Sequence, residues 1–178
     1  MNSTRVFQDL IRLQKAGCPL DLSRLPDVAA PHRLQRTGPG AIYAVEGGTA
    51  FVLPARITAT AAFVSITRLQ LMADWLSEEV RWSSPAGQEF GEWLAEARCG
   101  IDPFDVVSYR LLRPSAGLQR GAAVNGVLFG IAYGLNAEEI TLPSTAILWV
   151  RDQFGDLYHH EVAFEKKLQV RVGSIGTD

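Results

Sequence analysis

The sequence is poor in the residues from which most catalytic and metal sites are built. Its 178 residues include three histidines and two cysteines, and the cysteines, Cys18 and Cys99, belong to no CxxC pair. Two thiols so far apart do not indicate the disulfide framework of a small secreted domain. The GxSxG, GxGxxG, P-loop and HExxH motifs are all missing. We therefore expect no catalytic residue, no cofactor and no metal site.

Long apolar runs and a strong net charge are also missing. No run of 18 apolar residues could cross a membrane, and the charges within MNSTRVFQDLIRLQKAG argue against a secretory signal. A net charge of −2 gives no general attraction to nucleic acid or to anionic membranes. We expect a cytoplasmic protein. The excess of arginine over lysine, 14 to 3, favours a bacterial, GC-rich genome.

What the sequence does contain is enough apolar material for a packed core, since 47% of its residues are hydrophobic and 20% are charged. Residues 4–16 are predicted to form a short amphipathic helix. Its apolar side chains recur at helical spacing and are our candidate interaction residues: Val6, Phe7, Leu10, Ile11 and Leu13. A helix of about 12 residues is marginal alone in water, so this stripe must pack on a surface.

The chain changes character after this helix. Residues 17–40 hold four prolines and end in Gly-Pro-Gly, which predicts an irregular connector. We therefore divide the chain into an N-terminal arm with its connector (residues 1–38), a body (39–173) and a flexible tail (174–178). Residues 1–40 carry a net charge of +3 and the remainder −5, which suggests that the arm docks on the body, within one chain or between copies.

The body has the pattern of an all-β protein. Short apolar runs rich in β-branched residues alternate with turn signals, such as Glu46-Gly47-Gly48 between AIYAV and TAFVL. Pro54 is predicted to end the second run, and a bulge or bend is predicted near Phe63-Val64. Some eight or nine short strands indicate an immunoglobulin-like β-sandwich. A helix inserted near residues 85–99 would cover an edge or an open end.

The stretch LWVRDQFGDLYHHEVAF, residues 148–164, is the richest in possible chemistry. Asp152 and Gly155 suit the first and fourth positions of a type I turn, which predicts a hairpin of strands 146–152 and 156–165. Side chains alternate across a strand, so His160 should face the core and His159 the opposite side. The two histidines then cannot bind one metal ion. We read the stretch as a turn between strands; a site using His159 and Glu161 is the alternative.

Two further patterns invite a functional reading. Gly126, Gly130 and Gly134 would line one face of a strand, where they could admit a bulky aromatic such as Trp149 or form the floor of a groove for a partner. Acidic residues crowd between positions 74 and 105 and are the natural counterpart of the basic arm. A calcium site using Asp102 and Asp105 is conceivable, but no ligand loop of defined spacing is present.

These patterns favour a non-catalytic interaction or assembly module that binds a protein partner, or another copy of itself, through the N-terminal arm. The alternatives are a small-molecule or glycan-binding sandwich and a hydrolase that uses carboxylates. A deep polar pocket beside Trp82, Tyr109 or Tyr133 would favour the alternatives. A flat apolar patch under the arm would favour the interaction module.

Overall fold

The computed structural model describes residues 3–16, 18–19, 25, 29–45, 47–82 and 117–168. Within them, one α-helix, α1 (Ser3–Lys15), precedes ten strands. The strands are β1 (His32–Arg36), β2 (Gly40–Val45), β3 (Gly48–Ala59), β4 (Phe63–Val64), β5 (Ile66–Met72), β6 (Arg81–Trp82), β7 (Leu118–Gln119), β8 (Ala123–Tyr133), β9 (Ser144–Asp152) and β10 (Leu157–Leu168). The prediction of an all-β protein with an N-terminal helix is confirmed. The helix predicted near residues 85–99 and the predicted tail lie outside the described residues.

Eight of the strands form one mixed sheet. Its order is β5-β9-β10-β2-β3-β8-β6, and β1 pairs with β3 next to β2. All described pairs are antiparallel except β10 with β2, which run parallel. Strands β4 and β7 form a separate two-stranded sheet. Because β10 lies inside the sheet, between β9 and β2, residues far apart in the sequence are neighbours there.

The prediction that Pro54 ends a strand is wrong, because β3 continues through it to Ala59. One edge of β3 pairs first with β2 and then with β1, and the break between those two strands lies opposite Pro54. The carbonyl of Pro54 accepts a hydrogen bond from the backbone of Thr37 in this break. The proline nitrogen faces the same side, where no ladder needs a donor, so the strand tolerates it.

The local turn predictions are confirmed. Gly47 has a φ of 73° in the turn that joins β2 to β3, and Val45 pairs with Gly48 across it. The bend predicted near Phe63-Val64 separates β3 from β5, with the short β4 between them. Strand β1, however, lies inside the segment predicted to be irregular. In HRLQR, His32 and Leu34 are the more buried positions and alternate with exposed ones, the pattern of a half-buried strand.

The main sheet is apolar on both faces near its centre. On β9, the side chains of Ala146, Leu148 and Val150 belong to the larger core cluster. The alternating Ile147 and Trp149 point to the opposite face and belong to the smaller cluster, under α1. In the larger cluster, the rings of Phe51 and Phe164 make an edge contact at 5.4 Å between centroids. No helix within the described ranges is both long enough and apolar enough to cross a membrane.

Candidate functional site

The N-terminal helix packs against the sheet of its own chain. Its apolar side meets a patch that we call the α1 seat, formed by four buried side chains: Met72, Ile147, Trp149 and Leu157. Leu10 is buried in this contact, with 5% of its surface exposed. Val6, Phe7 and Ile11 are partly buried against the same patch. The amphipathic stripe is thus matched by an apolar surface under the arm.

Leu13, the fifth candidate interaction residue, lies at the margin of the stripe. It is 40% exposed, because it is rotated away from Phe7 and Ile11 on the helix surface. The next residue, Gln14, donates a side-chain hydrogen bond to the backbone carbonyl of Leu76, which fastens the end of α1 to the loop that follows β5. Leu13 is therefore the most exposed of the five candidates.

Two cavities flank α1 where it crosses β5. The first, of about 200 Å³, has apolar walls from Phe7, Trp149 and Leu157 and cationic side chains from Arg68 and Arg151. No acidic side chain is among the described residues that line it. The Nε of Arg151 donates a hydrogen bond to the carbonyl of Gly155 at 3.3 Å. Arg68 pairs with Glu79 at 3.0 Å, and both of these side chains are more than half exposed.

The indole of Trp149 forms part of this cavity wall. Its side chain is 99% buried, with 1% exposed, and its Nε1–H has no acceptor among the residues that the structure describes. The ring lies edge-on to Phe7, with centroids 5.2 Å apart, and 5.6 Å from the ring of His159. A buried donor without an acceptor costs about 1 to 3 kcal/mol, so the unpaired Nε1–H is unusual.

The second cavity, of about 240 Å³, lies toward the end of α1 and brings Lys15 near Glu78 and Glu79. The basic arm therefore does lie beside the first part of the acidic strip. The rest of that strip, from Glu89 to Asp105, lies outside the described residues, and so does the conceivable calcium site at Asp102 and Asp105.

The turn between β9 and β10 confirms the predicted hairpin. Gly155 has a φ of 88°, and its amide donates to the carbonyl of Asp152 at 3.2 Å. The Oδ1 atom of Asp152, which is 2% exposed, accepts hydrogen bonds from the amides of Phe154 and Asp156, both at 2.9 Å. The carboxylate therefore shapes the turn, and Phe154 at its tip is 80% exposed.

The adjacent histidines face opposite sides of β10, as predicted. His159 lies against Trp149 on the side of α1. His160 points to the other face and meets His32 of β1, with their Nε2 atoms 2.9 Å apart. Tyr158, on the same face as His160, makes an edge contact with the His32 ring at 5.7 Å between centroids. No described backbone ladder joins β1 to β10, so side chains bridge the two strands here.

Burial keeps the rings of His32 and His160 neutral. It lowers the pKa of His32 to about 4. Burial, assisted by the charges of His32 and His159, also lowers the pKa of His160 to about 4. Both rings are thus neutral at pH 7, and one Nε2–H donates to the other Nε2. Burial raises the pKa of the Tyr158 hydroxyl, and the carboxylates of Asp152 and Asp156 raise it further.

Two imidazoles alone do not make a zinc site, which needs three or four protein ligands. Among the described residues, no three His, Cys, Asp or Glu side chains are grouped closely enough to hold a metal ion. The pair is instead a neutral hydrogen bond that joins β1 to β10. A second link between the same strands is the salt bridge from Arg36 to Glu165, at 2.6 Å.

Gly126 and Gly130 lie on β8 as predicted, whereas Gly134 follows the end of the strand with a φ of 83°. The strip admits an aromatic side chain at Gly130, but not Trp149. A Cβ at Gly130 would lie 2.4 Å from Cγ1 of Val80 and 3.1 Å from the Trp82 ring, because β6 pairs with β8 at this point. Trp149 belongs to the α1 seat instead.

Tyr133 is 52% exposed, with Arg81 over its ring at 5.4 Å, whereas Tyr109 is outside the described residues. Neither Trp82 nor Tyr133 is among the described residues that line the two cavities.

Two features were missed at the level of sequence. The signal for β1 was present, since His32 and Leu34 alternate with Arg33 and Gln35. The approach of His32 to His160 had no local signal, because it depends on the order of strands in the sheet. Comparison with models of known protein families and with curated proteins finds no match to this sequence.

Proposed function

We propose that the protein is a non-catalytic interaction module that assembles through its N-terminal helix. In this proposal, α1 leaves the sheet of its own chain and docks on the α1 seat of a second copy. The observation that carries it is the apolar match between Leu10 and the seat, the surface expected under the arm of an interaction module.

Exchange of α1 between two copies would change little in the contacts that the helix makes with the α1 seat. Every apolar contact that α1 makes in one chain can form between two copies, because the same helix meets the same seat. The helix contributes its docking energy only when seated, since 13 residues form a marginal helix alone. The balance between the closed chain and the exchanged dimer then depends on protein concentration and on the connector.

The connector between α1 and β1 supports this exchange. Residues 16–31 separate the two elements and include Pro19, Pro26 and Pro31. Proline stiffens and extends such a segment, which favours spanning between copies over a tight return. Leu25 of the connector packs against the apolar cluster under α1, and the amide of Thr60 donates to the carbonyl of Pro31 at 2.8 Å, so the body of the molecule holds the connector at both points.

A reconstitution experiment tests the seat directly. A chain that lacks residues 1–28 keeps all ten described strands and leaves the seat open. We expect a synthetic peptide of residues 1–16 to bind this chain with one-to-one stoichiometry in calorimetry. A Leu10→Ala peptide should bind at least about tenfold more weakly, because burial of a leucine contributes about 1.5 to 3 kcal/mol. A Leu13→Ala peptide, changed at the exposed leucine, is the matched control.

Light scattering of the full-length protein tests assembly. We expect a concentration-dependent dimer whose mass falls to that of one chain when residues 1–28 are removed. A full-length protein that stays monomeric at every concentration, with a peptide that still binds the truncated chain, would show that α1 serves only its own body. The assembly function would then be abandoned.

We also propose a cytoplasmic location, a bacterial source and an immunoglobulin-like arrangement of the strands. The first two rest on the composition of the sequence, and the third rests on the number of strands. A second candidate function, the binding of a small molecule, is favoured by the cavity that Phe7, Arg68 and Arg151 line beside α1.

A further inference from the structure

The 200 Å³ cavity beside α1 combines apolar wall residues with two arginine side chains. Its walls are apolar, its rim carries two guanidinium groups, and one of its wall residues is a buried tryptophan whose N–H has no acceptor in the described chain. Arg68 and Gln70 come from β5, and Trp149 and Arg151 from β9. The site therefore stands on paired strands, with Phe7 of α1 as its lid.

The side chains of Arg68 and Arg151 give the cavity a positive charge, which favours an anionic ligand. Arg151 has no carboxylate partner within the described part of the chain, and the hydrogen bond of its side chain to Gly155 uses Nε, which leaves its terminal nitrogens available as donors. Arg68 pairs with Glu79 on the surface, and such exposed pairs contribute little. The planar donor fork of arginine matches a carboxylate, which it can bind through two parallel hydrogen bonds.

The size and walls of the site select the rest of the ligand. An apolar cavity of about 150 Å³ accommodates benzene, so about 200 Å³ accommodates one ring with a short carboxylate side chain. The rings of Phe7 and Trp149 offer aromatic contacts to such a ring. Inorganic anions would leave this apolar surface unused.

We infer that this cavity binds a small aromatic carboxylate. The carboxylate lies toward Arg151 and Arg68, and the ring lies against Phe7, Trp149 and Leu157. Binding also holds Phe7 in place, and so couples the ligand to the position of α1. The site needs α1 seated on the sheet, whether α1 comes from the same chain or from a second copy, so it does not rest on the assembly function.

Titration of the full-length protein with phenylacetate tests the inference. Calorimetry should show saturable one-to-one binding, and the indole N–H resonance of Trp149, identified by its loss in Trp149→Phe, should shift. Phenylacetamide lacks the charge and acetate lacks the ring. Both should bind at least about tenfold more weakly, because phenylacetamide loses the hydrogen bonds between charged groups and acetate loses the burial of the ring.

Variants separate the site from an unspecific effect of charge. Arg151→Gln should weaken phenylacetate binding about tenfold or more, and Arg151→Lys should recover part of the affinity. Arg120→Gln, which removes an exposed arginine outside the cavity, should leave the affinity unchanged. The inference is overturned if phenylacetate does not saturate and the Trp149 resonance stays in place. It is also overturned if phenylacetamide or acetate binds as tightly, or if Arg151→Gln has no effect.

Discussion

The Nε2 atoms of His32 and His160 lie 2.9 Å apart, although 128 positions separate the two residues in the sequence. The contact joins β1 to β10 where the two strands have no ladder of backbone hydrogen bonds. Since both rings are neutral in the folded protein, the link depends on pH.

We expect acid to weaken the fold through this pair. The pKa of each histidine falls from 6.5 to about 4 on folding. Below pH 6.5 the unfolded chain therefore binds protons that the folded chain does not, and stability falls until the pH reaches about 4. Each pKa unit corresponds to about 1.4 kcal/mol, so the loss is on the order of a few kcal/mol. Urea unfolding at pH 7.5, 6, 5 and 4 measures it.

The double variant His32→Gln, His160→Gln should have a much flatter pH profile, whereas His159→Gln, changed on the opposite face, should retain the slope of the parent. An unchanged slope in the double variant would mean that other groups govern the acid sensitivity.

Metal binding gives a second prediction. Because His159 and His160 diverge, and His32 supplies only a second imidazole, we expect no stoichiometric zinc or iron in the purified protein. Elemental analysis checks this. Zinc at one equivalent that disappears in His159→Ala or His160→Ala would contradict the geometry described above.

The turn at Gly155 gives a third prediction. Gly155→Val should lower the free energy of unfolding by more than about 1 kcal/mol, because a β-branched residue is poorly tolerated at a φ of 88°. The added Cβ would also lie 3.2 Å from Nη2 of Arg151. Gly155→Asn is the matched control, since asparagine accepts positive φ more readily. A valine variant as stable as the parent would contradict the assigned turn.

The contact of β8 with β6 gives a fourth prediction. Gly130→Ala should destabilise the protein by about 1 to 3 kcal/mol through overpacking, because its Cβ would clash with Val80. Thermal unfolding measures the change. Adding Val80→Ala should recover part of the loss, since it removes the clashing Cγ1. Additive effects of the two changes would show that β6 does not press on Gly130.

The helix gives a fifth prediction, for the stability of the intact chain. Leu10→Ala should cost about 2 kcal/mol or more, because it removes a side chain of α1 that is buried against the α1 seat. Leu13→Ala on the same helix should cost less than about 1 kcal/mol. Equal costs, measured by urea unfolding at one low protein concentration, would mean that the helix does not use the face described here.

Local structure was predictable from the sequence, and long-range pairing was not. The helix stripe, the turn at Gly155 and the opposed directions of His159 and His160 follow from spacing within a few residues. The continuation of β3 through Pro54 depends on a break in another strand, and the histidine pair depends on where β1 lies relative to β10. Likewise, the cavity at Trp149 forms from three separate segments of the chain, so no single stretch of sequence predicts it.

Because β10 pairs with β2, the main sheet can be completed only after β10 has been synthesised. Strands β2 and β3 leave the ribosome early, yet the neighbour that covers the free edge of β2 follows more than a hundred residues later. Until then, that edge and the apolar ring of Phe51 lack their partners in β10. A nascent chain halted before β10 therefore presents an open strand edge, the kind of surface that chaperones bind and that promotes aggregation.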